Sequence, residues 1–104
     1  MDEVWTYVLY DIPDDTVRTR LAEVCKDYGL ERIQFSAFSG LLTRNRREEL
    51  FLRLEETLGK RAGKILLQPV CEKDIREQLE IDHADEEHGD ATETGATGQR
   101  PEAV

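Results

Sequence analysis

Residues 4–12 (VWTYVLYDI) form a short run rich in β-branched and aromatic side chains, the composition of a strand. Its two parities are Val4, Thr6, Val8, Tyr10, Ile12 and Trp5, Tyr7, Leu9, Asp11. Both are largely apolar, so the strand is expected to be covered on both faces, as a central strand is. Pro13 ends it. The period then changes: Val17, Leu21, Val24, Cys25 and Tyr28 make one helical stripe after Asp14 or Asp15, either of which can serve as the N-cap. Gly29 stands where a left-handed C-terminal cap is wanted. Cys25 lies on the stripe and reads as core packing rather than as a nucleophile.

Residues 31–43 (ERIQFSAFSGLLT) return to strand patterning, with Ile33, Phe35 and Ala37 on one parity and Phe38 and Leu42 on the other. The switch around Ser36–Gly40 predicts a bulge or tight turn between two short strands. Asn45 with Glu48 resembles a capping box, and the helix after it carries Leu50, Phe51, Leu54 and Leu58 before Gly59 ends it. Residues 64–70 (KILLQPV) form an apolar strand, with Pro69 suited to its end or to a sheet edge. Ile75, Leu79 and Ile81 predict a last strand, and a short helix over 73–80 fits the same residues. The order β-α-β-β-α-β plus a C-terminal strand is α+β and ferredoxin-like, an antiparallel sheet with two helices on one face. Two helices cover one face only, so the apolar second face of the first strand predicts another subunit there.

Composition changes one part of this outline. The 104 residues suit a single small domain and exclude a two-domain enzyme with its own cofactor fold. The net charge of −9 argues, at face value, against a nucleic-acid partner. It is unevenly placed: residues 80–104 hold eight acids and one base, and residues 1–79 hold 15 acids and 13 bases. From His83 on there is almost no large apolar residue, so residues 83–104 are expected to be a disordered acidic tail behind a domain of residues 1–82. No apolar run reaches the length of a membrane span, and no basic-then-apolar leader opens the chain. Cys25 and Cys71 lack metal or disulfide spacing, so a reduced, cytoplasmic protein without membrane contact is expected.

Asp11, a carboxylate closing an apolar strand, invites two readings: it caps the turn into the first helix, or it binds Mg²⁺. One Asp per chain is thin for Mg²⁺, whereas two brought together across a two-fold axis would make a plausible site. Arg18 and Arg20 lie in the first turns of helix one, and Arg44, Arg46 and Arg47 flank the start of helix two. Cations there oppose the helix macrodipole, which points either to a bound anion such as phosphate or to a solvated face neighboured by Glu48 and Glu49. Arg32, at the start of strand two, is expected on the same surface. His83 and His88 have no scaffold for a metal, Ser36 and Ser39 have no His in the ordered region as a base, and no phosphate-binding loop of the Walker or dinucleotide type is present.

The run Tyr7–Ile12, a helix with Arg18 and Arg20, the segment from Gly29 through Arg32, Ser36 and Phe38 to Gly40, and residues 66–71 (LLQPVC) together resemble the CRISPR-associated protein 2 family. The resemblance covers roughly residues 4–82 and leaves the tail from His83 without a counterpart. It implies a homodimer with a strand-end Asp from each subunit near the two-fold, here Asp11, and Mg²⁺-dependent endonuclease activity on RNA or double-stranded DNA. It also implies a scaffold that binds duplex DNA and bridges the CRISPR integrase during spacer acquisition. By motif it assigns activity or nucleic-acid contact to Tyr10, Asp11, Arg18, Arg20, Arg32 and Phe38. A ferredoxin-like endoribonuclease toxin of a toxin–antitoxin pair is the alternative outside the family.

Overall fold

The computed structural model describes residues 2–83. Strand β1 (Glu3–Asp11) is followed by helix α1 (Asp15–Asp27), strands β2 (Glu31–Gln34) and β3 (Ala37–Thr43), helix α2 (Arg44–Leu58), strand β4 (Lys64–Val70) and a short helix α3 (Glu72–Arg76). The sheet has the order β2-β3-β1-β4 with every neighbour antiparallel, the split β-α-β arrangement expected from the pattern. Pro69 sits in β4, an edge strand, where its missing N–H costs least.

Helices α1 and α2 lie side by side on one face. Val8 and Phe38 from the sheet meet Val17, Leu21 and Cys25 from α1 and Leu50 and Leu54 from α2, all fully buried. Each such side chain contributes about 1.5–3 kcal/mol by leaving water. Asp14 caps α1, its Oδ1 accepting from the Val17 N–H at 3.0 Å, and Gly29 adopts a φ of 83° just beyond the helix. Gly40 is required for a different reason: a Cβ there would stand 2.7 Å from Leu30 Cδ2.

Three expectations need correction. Helix α2 begins one residue before Asn45 and is capped by Thr43, whose hydroxyl accepts from the Arg46 N–H at 3.2 Å. Phe51 is exposed, because Leu50, Leu54 and Leu58 make the line that faces the sheet and Phe51 is turned about 100° from it. The last strand over Ile75–Ile81 does not form among the described residues. Glu72 and Asp74 open a helix instead, and Arg76 pairs with Glu72 at 3.1 Å, one turn apart.

That helix folds back on the sheet face opposite α1 and α2. Ile75 lines a hollow with Trp5, Leu41 and Val70, and the Tyr7 hydroxyl donates to Gln78 Oε1. Part of the face that called for another subunit is therefore covered by the chain itself. The cross-strand pair Leu9 and Leu66 stays open at 38% and 46% exposed, and Leu41 beside the hollow is 51% exposed. The expected tail, apart from the exposed His83, lies outside the described residues.

Candidate functional site

The last two residues of β1 point to opposite faces of the sheet, as strand alternation requires. Tyr10 goes inward beneath α1 and is buried, whereas Asp11 goes outward and is exposed. The capping role that Asp11 could have filled belongs to Asp14. Among the described residues Asp11 has neither a side-chain hydrogen bond nor an ion pair, and its cross-strand neighbour is Lys64. The Val17 N–H holds the Asp14 carboxyl below the usual carboxylate range against desolvation, with smaller lowering contributions from the Thr16 N–H, Arg61 and Arg18.

On the inward side, aromatic rings and guanidinium groups interleave. The Tyr10 and Phe38 rings stack with centroids 6.4 Å apart. Arg32 stands 5.0 Å above Phe38, and Arg18 stands 5.4 Å from the ring centre of Phe35. Arg18 is anchored: Nη1 donates to the Ile12 and Pro13 carbonyls at 2.7 and 3.2 Å, and Nη2 pairs with Asp15. These bonds clamp the strand-to-helix turn and hold a cation beside it. Tyr10, Asp15, Arg18, Thr19, Arg32 and Phe35 line one cleft of about 230 Å³. Burial, then the neighbouring Cys25, push the Tyr10 phenol above its ordinary pKa against the pull of Arg32 and Arg18, so it stays protonated at neutral pH. Burial also pushes the Cys25 thiol up to about 12, consistent with a packing role.

The structure does not gather all the arginines on one surface. Strand β3 runs from Ala37, opposite Leu9, to Thr43, opposite Glu3, so α2 starts at the end of the sheet away from Asp11. Arg44 pairs there with Glu48 at 3.2 Å, and Arg46 pairs with Glu49 at 3.8 Å and lies 4.3 Å over Tyr28. Arg47 turns toward Phe51, Leu52 and Leu67, with Nη1 buried and unpartnered. Arg20 is exposed but lines a separate cleft between the two helices with Arg53, Lys60 and Arg61. Phe38 is fully buried and supports Arg32 from below rather than presenting a surface. The cleft therefore unites Tyr10, Arg18 and Arg32, with Asp11 adjacent on the outer face. Two neighbours were not singled out in the sequence, Phe35 and Lys64. The parity switch beside Phe35 marked a turn, and an aromatic residue in a turn was the available signal.

Small ferredoxin-like α+β proteins are defined by this sheet order, and guanidinium groups gathered at a sheet end are chemistry suited to phosphate. The family model described as CRISPR associated protein Cas2 matches residues 4–78, and the chain belongs to that family. A Desulforudis audaxviator protein named CRISPR-associated endoribonuclease Cas2 is 55% identical over 71 residues, covering 68% of this chain and 67% of the relative. A Korarchaeum cryptofilum protein of the same name is 42% identical over 76 residues, 71% of this chain and 80% of the relative. Among solved structures, a hypothetical protein from Thermus thermophilus superposes with a TM-score of 0.66 at 34% identity, covering 80% of this chain and 94% of that one. Streptococcus pyogenes Cas2 shares the fold, with a TM-score of 0.65 at 20% identity over 75% of this chain and 99% of that one.

Proposed function

We propose that this protein is a Mg²⁺-dependent endonuclease subunit that acts as a homodimer on RNA or double-stranded DNA in CRISPR adaptation. The observation that carries the reading is the unpaired Asp11 carboxylate, on the outer face of β1 in line with the exposed Leu9. A second copy seated on the exposed cross-strand pair Leu9 and Leu66 would bury it and bring a second Asp11 to the same edge. The names of the relatives, CRISPR-associated endoribonuclease Cas2, support the activity.

The donor set suits Mg²⁺. Among the described residues no group of three or more His, Cys, Asp or Glu is available to hold a metal. Mg²⁺ does not need one, since it is usually held by one or two carboxylates together with waters and substrate phosphate oxygens. Asp11 from each copy would hold it, and the ion would supply Lewis-acid polarisation of the phosphoryl oxygen and an acidified water. The chain's own groups do the rest. Lys64 sets a cation next to Asp11 on the outer face, while Arg18 and Arg32 present guanidinium groups to phosphate around the end of the sheet. Arg18 is already immobilised by two carbonyls, so little of its freedom is lost on binding.

Scaffolding of the CRISPR integrase is a second role, favoured by the groove between α2 and β4, where the exposed Phe51 and Leu52 beside the half-buried Leu67 suit a protein partner. The toxin alternative loses its support, because the chain belongs to the Cas2 family. Nothing among the described residues is a helix long and apolar enough to cross a membrane. The test compares wild type with Asp11→Ala for Mg²⁺-dependent cleavage and for spacer acquisition. Loss of cleavage by at least about 100-fold is expected for removal of a metal-holding carboxylate. Unchanged cleavage would overturn the metal assignment, and lost cleavage with intact acquisition would make the scaffold role the one that matters in the cell.

A further inference from the structure

Phe35 is the most exposed aromatic side chain among the described residues, 73% open to solvent, at the tip of the β2–β3 turn. A lone exposed phenylalanine needs no explanation in general. This one is held in place. The Tyr10 N–H donates to the Ser36 carbonyl at 3.0 Å, and Arg32 Nη1 donates to the Phe35 carbonyl at 2.5 Å. The Arg18 guanidinium backs the ring at 5.4 Å. The turn is thus held at the Phe35 and Ser36 carbonyls, and the ring is supported by a cation on one side and open over most of its surface. It forms a wall of the cleft with Tyr10, Asp15, Arg18, Thr19 and Arg32, a lining of guanidinium, hydroxyl and carboxylate groups. That lining suits a nucleotide, with phosphate for the cations and a flat base for the ring, better than an aliphatic protein segment.

We infer that Phe35 is a stacking platform for one unpaired nucleobase, so that the chain engages nucleic acid preferentially where a base is free of its partner. A base inside a paired, stacked duplex has no free face to offer the ring, whereas a base in a single strand, an overhang or a frayed end does. Because the turn is hydrogen-bonded to Tyr10, the residue before Asp11, such a base would anchor the strand at the same end of the sheet as the carboxylate. The inference rests on the nucleic-acid reading above and adds to it a residue that holds one unpaired base.

The test is fluorescence anisotropy of the full chain with a 12-nucleotide single strand, the matching blunt duplex, and the same duplex with an unpaired overhang, as RNA and as DNA. Phe35→Ala is expected to weaken the single strand and the overhang by about 5- to 150-fold, the factor one stacked base contributes, and to leave the blunt duplex unchanged. Phe35→Trp should restore binding and Phe35→Leu should not, because only an aromatic face stacks. A strand carrying 2-aminopurine gives a signature that a structural role would not move: wild type and Phe35→Trp should quench it, and Phe35→Ala should not. Equal losses on all three ligands, full rescue by leucine, or no loss at all would overturn the stacking role and leave a protein contact as the use of Phe35. If Arg18→Gln weakens binding and Phe35→Ala does not, the nucleic-acid reading stands and only this inference fails. Absence of any binding by wild type would remove both.

Discussion

Replacing Phe38 separates a residue that touches ligand from one that only supports those that do. Its resemblance-based assignment is nucleic-acid contact, yet the ring is fully buried, stacked on Tyr10 at 6.4 Å and covered by Arg32 at 5.0 Å. Truncation to alanine at such a site costs about 3–5 kcal/mol through lost transfer energy and the cavity left behind. Loss of the cation over the ring adds about 0.5–1 kcal/mol. A domain of this size is stable by only about 5–10 kcal/mol, so Phe38→Ala should melt at least about 12 °C lower, at 4–8 °C per kcal/mol. Phe38→Leu keeps most of the volume, costs about 1–1.5 kcal/mol, and should melt only about 4–12 °C lower. Circular-dichroism melts at one fixed protein concentration read the stability, and anisotropy well below the melting range reads binding. The folded leucine variant is expected to bind nucleic acid within about twofold of wild type, a difference under 0.5 kcal/mol. Should it melt within about 2 °C of wild type yet lose tenfold or more in affinity, the ring touches the ligand and the buried-support argument is wrong.

Two further outcomes follow from other parts of the molecule. The Asp14 carboxyl is held below its ordinary range chiefly by the Val17 N–H, so its contribution to stability is present above the unfolded carboxylate pKa, about 3.9, and is lost as pH falls through the lower folded value. Urea melts of wild type and Asp14→Ala should therefore differ at pH 7 and converge as the pH drops below about 4; a constant gap across that window would refute the cap. Leu66 is half-exposed on the face assigned to the proposed homodimer, so, on that proposal, Leu66→Glu should leave the circular-dichroism spectrum unchanged while light scattering reports monomer mass where wild type gives dimer mass. A Leu66→Glu protein that still runs as a dimer would place the subunit contact elsewhere.

Local chemistry was enough to read most of the fold from the sequence. The stripe Val17–Tyr28 and the break at Gly29 locate α1, and the run 64–70 coincides with β4, because helical and strand periods depend only on near neighbours. Cys25 could be placed in the core on the same grounds, as an apolar member of a stripe. The chain's C-terminal turn was less legible: Ile75, Leu79 and Ile81 serve a strand or a helix equally, and the acids Glu72 and Asp74 with the Arg76 pair decide for a helix.

The site was legible in its residues but not in its grouping. Arg18 and the Arg44–Arg46–Arg47 group look alike in sequence, each beside a helix start. Antiparallel pairing of β1 with β3 sends the two helix starts to opposite ends of the sheet, and that direction is set by which strands pair, not by anything near the arginines. The same long-range placement brings Phe35 beside Arg18, 17 positions earlier in the chain, and makes an exposed ring part of a cleft. Asp11 is the opposite case: its outward direction follows from strand alternation alone, but its freedom was decided by the turn, where Asp14 took the helix cap and left the Asp11 carboxylate without a partner. Sequence by itself determined β1 to β4, α1 and most of the apolar faces, since these follow from periodicity and side-chain type, while the α2 cap and the helix after β4 came from the structure. Tertiary structure decided which charged groups share an end of the sheet, because that depends on the register and direction of strands far apart in the chain.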